Sequence, residues 1–108
     1  MMKVGNVFSN IPESAEVEIF ETLLDAGRFK LERILSSGQA TPPGEWLDSD
    51  THEWVILLKG GAGILFEGQS GVTVMHPGDY VYIRNHQRHR VEWTDKHKGT
   101  VWLALHYK

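Results

Sequence analysis

"VTVMHPGDYVYIRNHQRHRVEW", Val72 to Trp93, sets two short alternating apolar runs around a His-Pro-Gly-Asp turn and a second tight loop. Successive side chains of a strand point to opposite faces. In the last part of the stretch this puts His89, Val91 and Trp93 on one face and Arg88, Arg90 and Glu92 on the other. The charged face must meet water, so His89 is expected to point inward. A histidine sent to the core side needs a partner there, whether a carboxylate, a carbonyl, a water or a metal.

Working outward, the same rhythm of short apolar runs broken by turn residues continues, and the eleven glycines and four prolines favour an all-β fold. The segment "IPESAEVEIFETLLDAG" can open a short N-terminal helix at Pro12, Glu13 and Glu16, or form a strand with Val17 and Ile19 inward and Glu18 outward. "RFKLERILSSG" alternates as a strand with Phe29, Leu31 and Leu35 on its apolar face and Lys30 and Glu32 opposite. Arg33 falls on that apolar face. It either snorkels out at a sheet edge or turns inward as a guanidinium for an anionic ligand.

"SSGQATPPGEWLDSD" is loop-like, because Pro42-Pro43-Gly44 stops regular structure. "HEWVILLKGGAGILFEG" follows, and its "WVILL" is apolar at every position, which suggests cover on both faces. A second subunit is expected to supply the outer cover, with Trp54, Ile56 and Leu58 at the interface of a homodimer. "KGGAG" reads as a hairpin turn and "TVWLALHYK" as the closing strand. Six to nine such strands suggest a sandwich or barrel.

At 108 residues the chain suits one domain, 1–108, with one core. A net charge of -3 and the absence of any lysine and arginine run give no sign of a nucleic-acid partner. Without cysteine there can be no disulfide, thiol nucleophile or thiolate metal site, which suits a cytoplasmic protein. No stretch approaches the roughly 18 apolar residues of a membrane span. "GGAG" lacks the helix pattern and G-K-[ST] of a phosphate loop.

Two stretches carry a family pattern. "EWVILLKG", Glu53 to Gly60, resembles the end of the first cupin motif, and "PGDYVYIRNHQRH", Pro77 to His89, resembles the second. With "PPGEWLDSD", "HQRHRVEWT" and "VWLALHY", the chain is similar to small single-domain bacterial cupins, mostly of unknown function. The resemblance implies a double-stranded β-helix, a small jelly-roll barrel. Metal-binding cupins usually add an H-x-H before the glutamate. Here those places hold Leu47 and Ser49, or Trp46 and Asp48, so Glu53 and His89 alone remain of four ligands.

The resemblance therefore implies two readings. In one, the barrel binds a small molecule in a pocket formed by Glu53, His89, Arg33, Trp93 and His106, with Glu53 and His89 hydrogen-bonded to each other and no metal required. In the other, a divalent ion (Fe, Mn, Ni or Zn) sits on Glu53 and His89 with Asp48 or His86 as third ligand, in an enzyme of dioxygenase, isomerase or epimerase type. The tryptophans Trp46, Trp54, Trp93 and Trp102 are expected in the core or interface rather than as a sugar-stacking platform.

Overall fold

The computed structural model describes residues 2–108, and among them every regular element is a strand. These are β1 (Ile19–Asp25), β2 (Phe29–Ser36), β3 (His52–Lys59), β4 (Ala62–Phe66), β5 (Thr73–Met75), β6 (Tyr80–Ile83), β7 (His89–Thr94) and β8 (Thr100–Tyr107). They form a five-stranded sheet in the order β1-β2-β8-β3-β6 and a three-stranded sheet in the order β5-β4-β7, all pairs antiparallel. The two sheets give the expected all-β, jelly-roll class. No described helix is long and apolar enough to cross a membrane.

The N-terminal segment forms no helix. Residues 2–18 are irregular, and β1 begins only at Ile19, where backbone pairing with Leu35 of β2 becomes available. β-branched and aromatic residues fill the central strands, which suits a pleated surface packed on one or both sides. Between the sheets lies a core of Val55, Leu57, Ala62, Ile64, Met75, Trp102 and Ala104. At about 25 cal/mol per Å² of apolar surface removed from water, such burial is the main term holding the sheets together.

The Gly60–Gly61 turn is not the hairpin expected from the sequence, since β3 and β4 lie in different sheets and do not pair, and this crossing between sheets depends on one glycine. Gly60 has φ +88°, and a Cβ there would run into Thr100 Oγ1 and the Gly99 carbonyl. Only glycine accepts both the left-handed backbone and the close approach of the β8 start.

β2 faces the opposite way from the sequence expectation. Glu32 and Ile34 look into the barrel, whereas Arg33 and Leu35 look out. The outer face of β2 is apolar because the N-terminal segment crosses it: Ile11, Pro12 and Ala15 close against Leu35 around a crevice of only about 20 Å³. Arg33, 5% exposed, is part of that contact. Its Nη1 donates to the carbonyls of Val7 (3.0 Å) and Ser9 (2.6 Å), and its Nε and Nη2 donate to Glu21 Oε1 (3.1 and 2.5 Å). It neither snorkels to water nor reaches a ligand pocket.

On β3 the alternation holds as far as Leu57, and Leu58, the expected third member of the outer row, is the extra residue where the β3–β8 register shifts. Val55 and Leu57 are buried between the sheets, and Trp54 and Ile56 form a half-buried outer row. In register beside them stand Leu105, Leu103 and the exposed Tyr82 and Tyr80.

Candidate functional site

A cavity of about 400 Å³ opens between the sheets. β2 supplies Glu32 and Ile34, β3 supplies Glu53 and Val55, β7 supplies His89 and Val91, and β8 supplies Trp102 and His106. The first three pairs are two positions apart and Trp102 and His106 are four apart, spacings that keep side chains on one face of a strand. The volume lies within the usual range of small-molecule sites, about 300 to 1,000 Å³.

The loop between β2 and β3 forms the rim. Leu47 and His89 exchange backbone hydrogen bonds (N–O 2.7 and 3.1 Å), and Thr41 and Val91 are joined by Thr41 N to Val91 O and Val91 N to Thr41 Oγ1, both 2.9 Å. Arg90 then fixes the loop by donating to the carbonyls of Thr41, Pro42 and Glu45 at 3.0 to 3.1 Å. This arginine was expected on a solvated face. Its guanidinium instead satisfies loop carbonyls that have no ladder partner.

His89 is 6% exposed and points inward, as its parity requires. Its Nδ1–H donates to the Gln87 carbonyl at 3.0 Å. That bond leaves Nε2, without a hydrogen-bond partner among the described residues, as the ring nitrogen available to the cavity. Glu53 is half-buried on the opposite sheet and has no side-chain hydrogen bond among the described residues. The expected Glu53–His89 hydrogen bond is absent: with the ring proton on Nδ1 given to the Gln87 carbonyl, Nε2 is an acceptor and has no proton to offer a carboxylate.

The imidazole–carboxylate pair of the cavity is a different one. His106 Nε2 lies 2.7 Å from Glu32 Oε1, with Lys30 Nζ 3.7 Å from the other carboxylate oxygen. Glu32 is 8% exposed. Reading the sequence missed it, because Glu32 was assigned to the solvent side of β2. The one signal available was its spacing of two from Ile34 and four from Ser36. Ser36 belongs to a second relay, in which Trp102 Nε1–H donates to Ser36 Oγ (3.1 Å) and Ser36 donates to Glu18 Oε2 (2.5 Å). Glu18, also expected to point outward, lies on the cavity wall.

Trp93 is not in the cavity. The register of β4 and β7 shifts between Gly63, which faces Trp93, and Ile64, which faces Val91, so Glu92 is an extra residue in the ladder. Such a bulge reverses the inside–outside alternation beyond it. Thr94 is therefore buried, and Trp93 is 40% exposed, with its indole over Gly63, where any Cβ would collide with it.

The proposed metal ligands do not converge. His86, at φ 63° in the turn before β7, pairs its exposed ring with Asp48 at the rim (Nδ1–Oδ1 3.0 Å). Among the described residues no three histidine, aspartate or glutamate side chains gather in a way that could hold an ion. A divalent metal site commonly needs three protein ligands, so Glu53, His89, Asp48 and His86 do not fit one in this arrangement. The other histidines lie away from the cavity: His52 packs on the outer face between Tyr82 and Tyr107, and His76 pairs with Asp79 in an exposed turn.

Comparison with known proteins agrees with this architecture. The cupin domain model matches residues 33–106. A crystal structure described as a "putative mannose-6-phosphate isomerase" from Ralstonia eutropha JMP134 is 50% identical, with each chain covered to 99% and a TM-score of 0.97. A cupin superfamily protein from Desulfitobacterium hafniense DCB-2 shares 15% identity over 90% of this chain and 83% of its own, with a TM-score of 0.73. The polyketide cyclase RemF from Streptomyces resistomycificus shares 20% identity over 99% of this chain and 80% of its own, with a TM-score of 0.77. No curated protein matches the sequence. With two facing antiparallel sheets around a cavity and a family match over well more than half its length, the chain belongs to the cupin domain family.

Proposed function

We propose that this protein binds a small organic molecule in the cavity between its sheets, with Glu53 and His89 Nε2 as the polar groups that meet it. The observation that carries this reading is that both groups face one cavity of about 400 Å³ and have no protein partner among the described residues. Polar groups left without a protein partner and facing a concave space with aliphatic walls are the groups a small ligand can pair with, and they would fix its orientation. The protein acts as a homodimer through the outer face of β3, and its lack of cysteine fits a cytoplasmic setting.

The sugar-phosphate activity in the name of the Ralstonia neighbour finds little support in this cavity, whose lining contains no lysine or arginine to hold a phosphate. A fold shared with a cyclase and an isomerase does not choose a reaction.

The test is a fragment screen by NMR on the full chain, reading the Trp102 indole and His89 ring signals, with His89→Ala alongside. Fragments that shift both signals in the wild type and lose affinity in the variant support the reading. A library that leaves Trp102 and His89 unmoved overturns it. Elemental analysis of protein purified without chelator addresses the metal-dependent alternative. Near-stoichiometric Fe, Mn, Ni or Zn that is lost in His89→Ala would replace the metal-free reading with that one.

A further inference from the structure

We infer that the ligand class of this cavity is a small organic cation, an ammonium or amidinium carried on a compact apolar body. The inference rests on the cavity being the binding site, and it adds the charge and chemistry of the occupant.

Five carboxylates line the cavity: Glu18, Glu32 and Glu53 on its walls, and Glu45 and Asp48 at its rim. No lysine or arginine lines it. Three of the five have a neighbour, namely Ser36 for Glu18, His106 and Lys30 for Glu32, and His86 for Asp48. Glu53 and the exposed Glu45 have none among the described residues.

His89 supplies the second, independent observation. It is more than nine-tenths buried, its Nδ1–H is used by Gln87 O, and its remaining nitrogen is a lone-pair acceptor on a ring that lines the same space. The unpartnered groups, the carboxylates of Glu53 and Glu45 and one imidazole nitrogen, are thus all acceptors, and a ligand that matches them brings donors. Carboxylates converging on a space of low polarity also raise the local concentration of cations and repel anions.

The remaining walls define the body of the ligand. Ile34, Val55, Ile64, Ile83 and Val91 are aliphatic, and Trp102 adds an aromatic ring able to attract a nearby cation. Basic side chains do occur near the barrel end, but Arg28, Lys30 and Lys108 line an adjoining depression that shares only Glu32 and His106 with the cavity.

The experiment compares three probes on the full chain near neutral pH and low salt: cyclohexylmethylamine, cyclohexylmethanol and mannose 6-phosphate. Affinities come from titration of the Trp102 indole NMR signal. The amine is expected to bind at least about tenfold more tightly than the alcohol, and Glu53→Gln, which keeps the shape and removes the charge, should erase that advantage. Glu67→Gln, on an exposed pair with Arg88, should leave it intact. Equal binding of amine and alcohol, or tighter binding of the sugar phosphate, overturns the cation inference while the cavity remains the binding site. If no probe moves the Trp102 signal, the binding-site reading falls with it.

Discussion

His106 Nε2 meets Glu32 Oε1 at 2.7 Å, and His106 is also the direct cross-strand partner of Glu53 on β3. The three side chains therefore form one polar corner of the cavity, in which Glu32 is committed to His106 and Glu53 is free. Glu32→Ala would leave the partly buried imidazole without its partner, and the expected cost is about 1 to 3 kcal/mol in urea unfolding. Glu32→Gln retains an acceptor oxygen and should recover most of that loss. If the alanine variant is as stable as the parent, the pair contributes nothing to the fold.

Arg33 provides a contrasting test, because its charge is used by the N-terminal segment and Glu21 rather than by a ligand. Arg33→Met keeps the length and loses the charge-assisted bonds. It should cost about 2 kcal/mol and make the segment before Ile19 more sensitive to limited proteolysis. Probe binding in the cavity should not change. A variant that folds normally but loses ligand affinity would return Arg33 to the role of an anion-binding group.

Much of this arrangement was legible in the sequence, and the failures share a cause. His89 was assigned inward by strand parity, Glu53 came from the family motif and His106 was placed in the pocket, and all three line the cavity. Parity fixes which residues share a face but not which face is inside. β2 carries apolar residues on both faces, because the N-terminal segment covers Leu35 from outside as the barrel covers Ile34 from within. The richer apolar row was taken as the inner one, and Glu32 was lost with the choice. Trp93 failed differently, since a one-residue bulge at Glu92 leaves no mark in composition and reverses every side chain after it. The tie between Asp48 and His86 lies outside the regular strands, where parity gives no guidance.

The turn into β8 should show a pH signature. Asp95 Oδ1 accepts from the backbone amides of His97 and Lys98, each at 2.8 Å, and these bonds hold its carboxyl below the usual carboxylate range. A folded-state value below the unfolded one means that the contribution is present above the ordinary carboxylate range and is lost as pH falls through the folded value. Asp95→Ala should therefore lower Tm modestly near pH 7 and not at all in strong acid. A difference in Tm that stays constant across this range would show that the carboxylate charge is not what the turn uses.

The outer face of the large sheet makes the last case. Trp54 stands in register between Leu105 of β8 and Tyr82 of β6, and Ile56 between Leu103 and Tyr80, so the apolar residues form a continuous patch across three strands. Trp54 also packs on Tyr80 with ring centroids 5.4 Å apart. Among the described residues no further layer covers this patch, although the N-terminal segment covers the neighbouring part of β2. A contiguous apolar face of this kind suits an isologous contact with a second copy, in which each Trp54 meets the same surface of its partner. A buried carboxylate at its centre would be desolvated without a counter-charge in both subunits at once. Trp54→Asp is thus expected to convert a dimer of the 12.3 kDa chain into a folded monomer, read as a halved mass by light scattering on the eluting peak with an unchanged far-UV spectrum. A parent protein that already elutes as a monomer, or a variant of unchanged mass, would refute the interface.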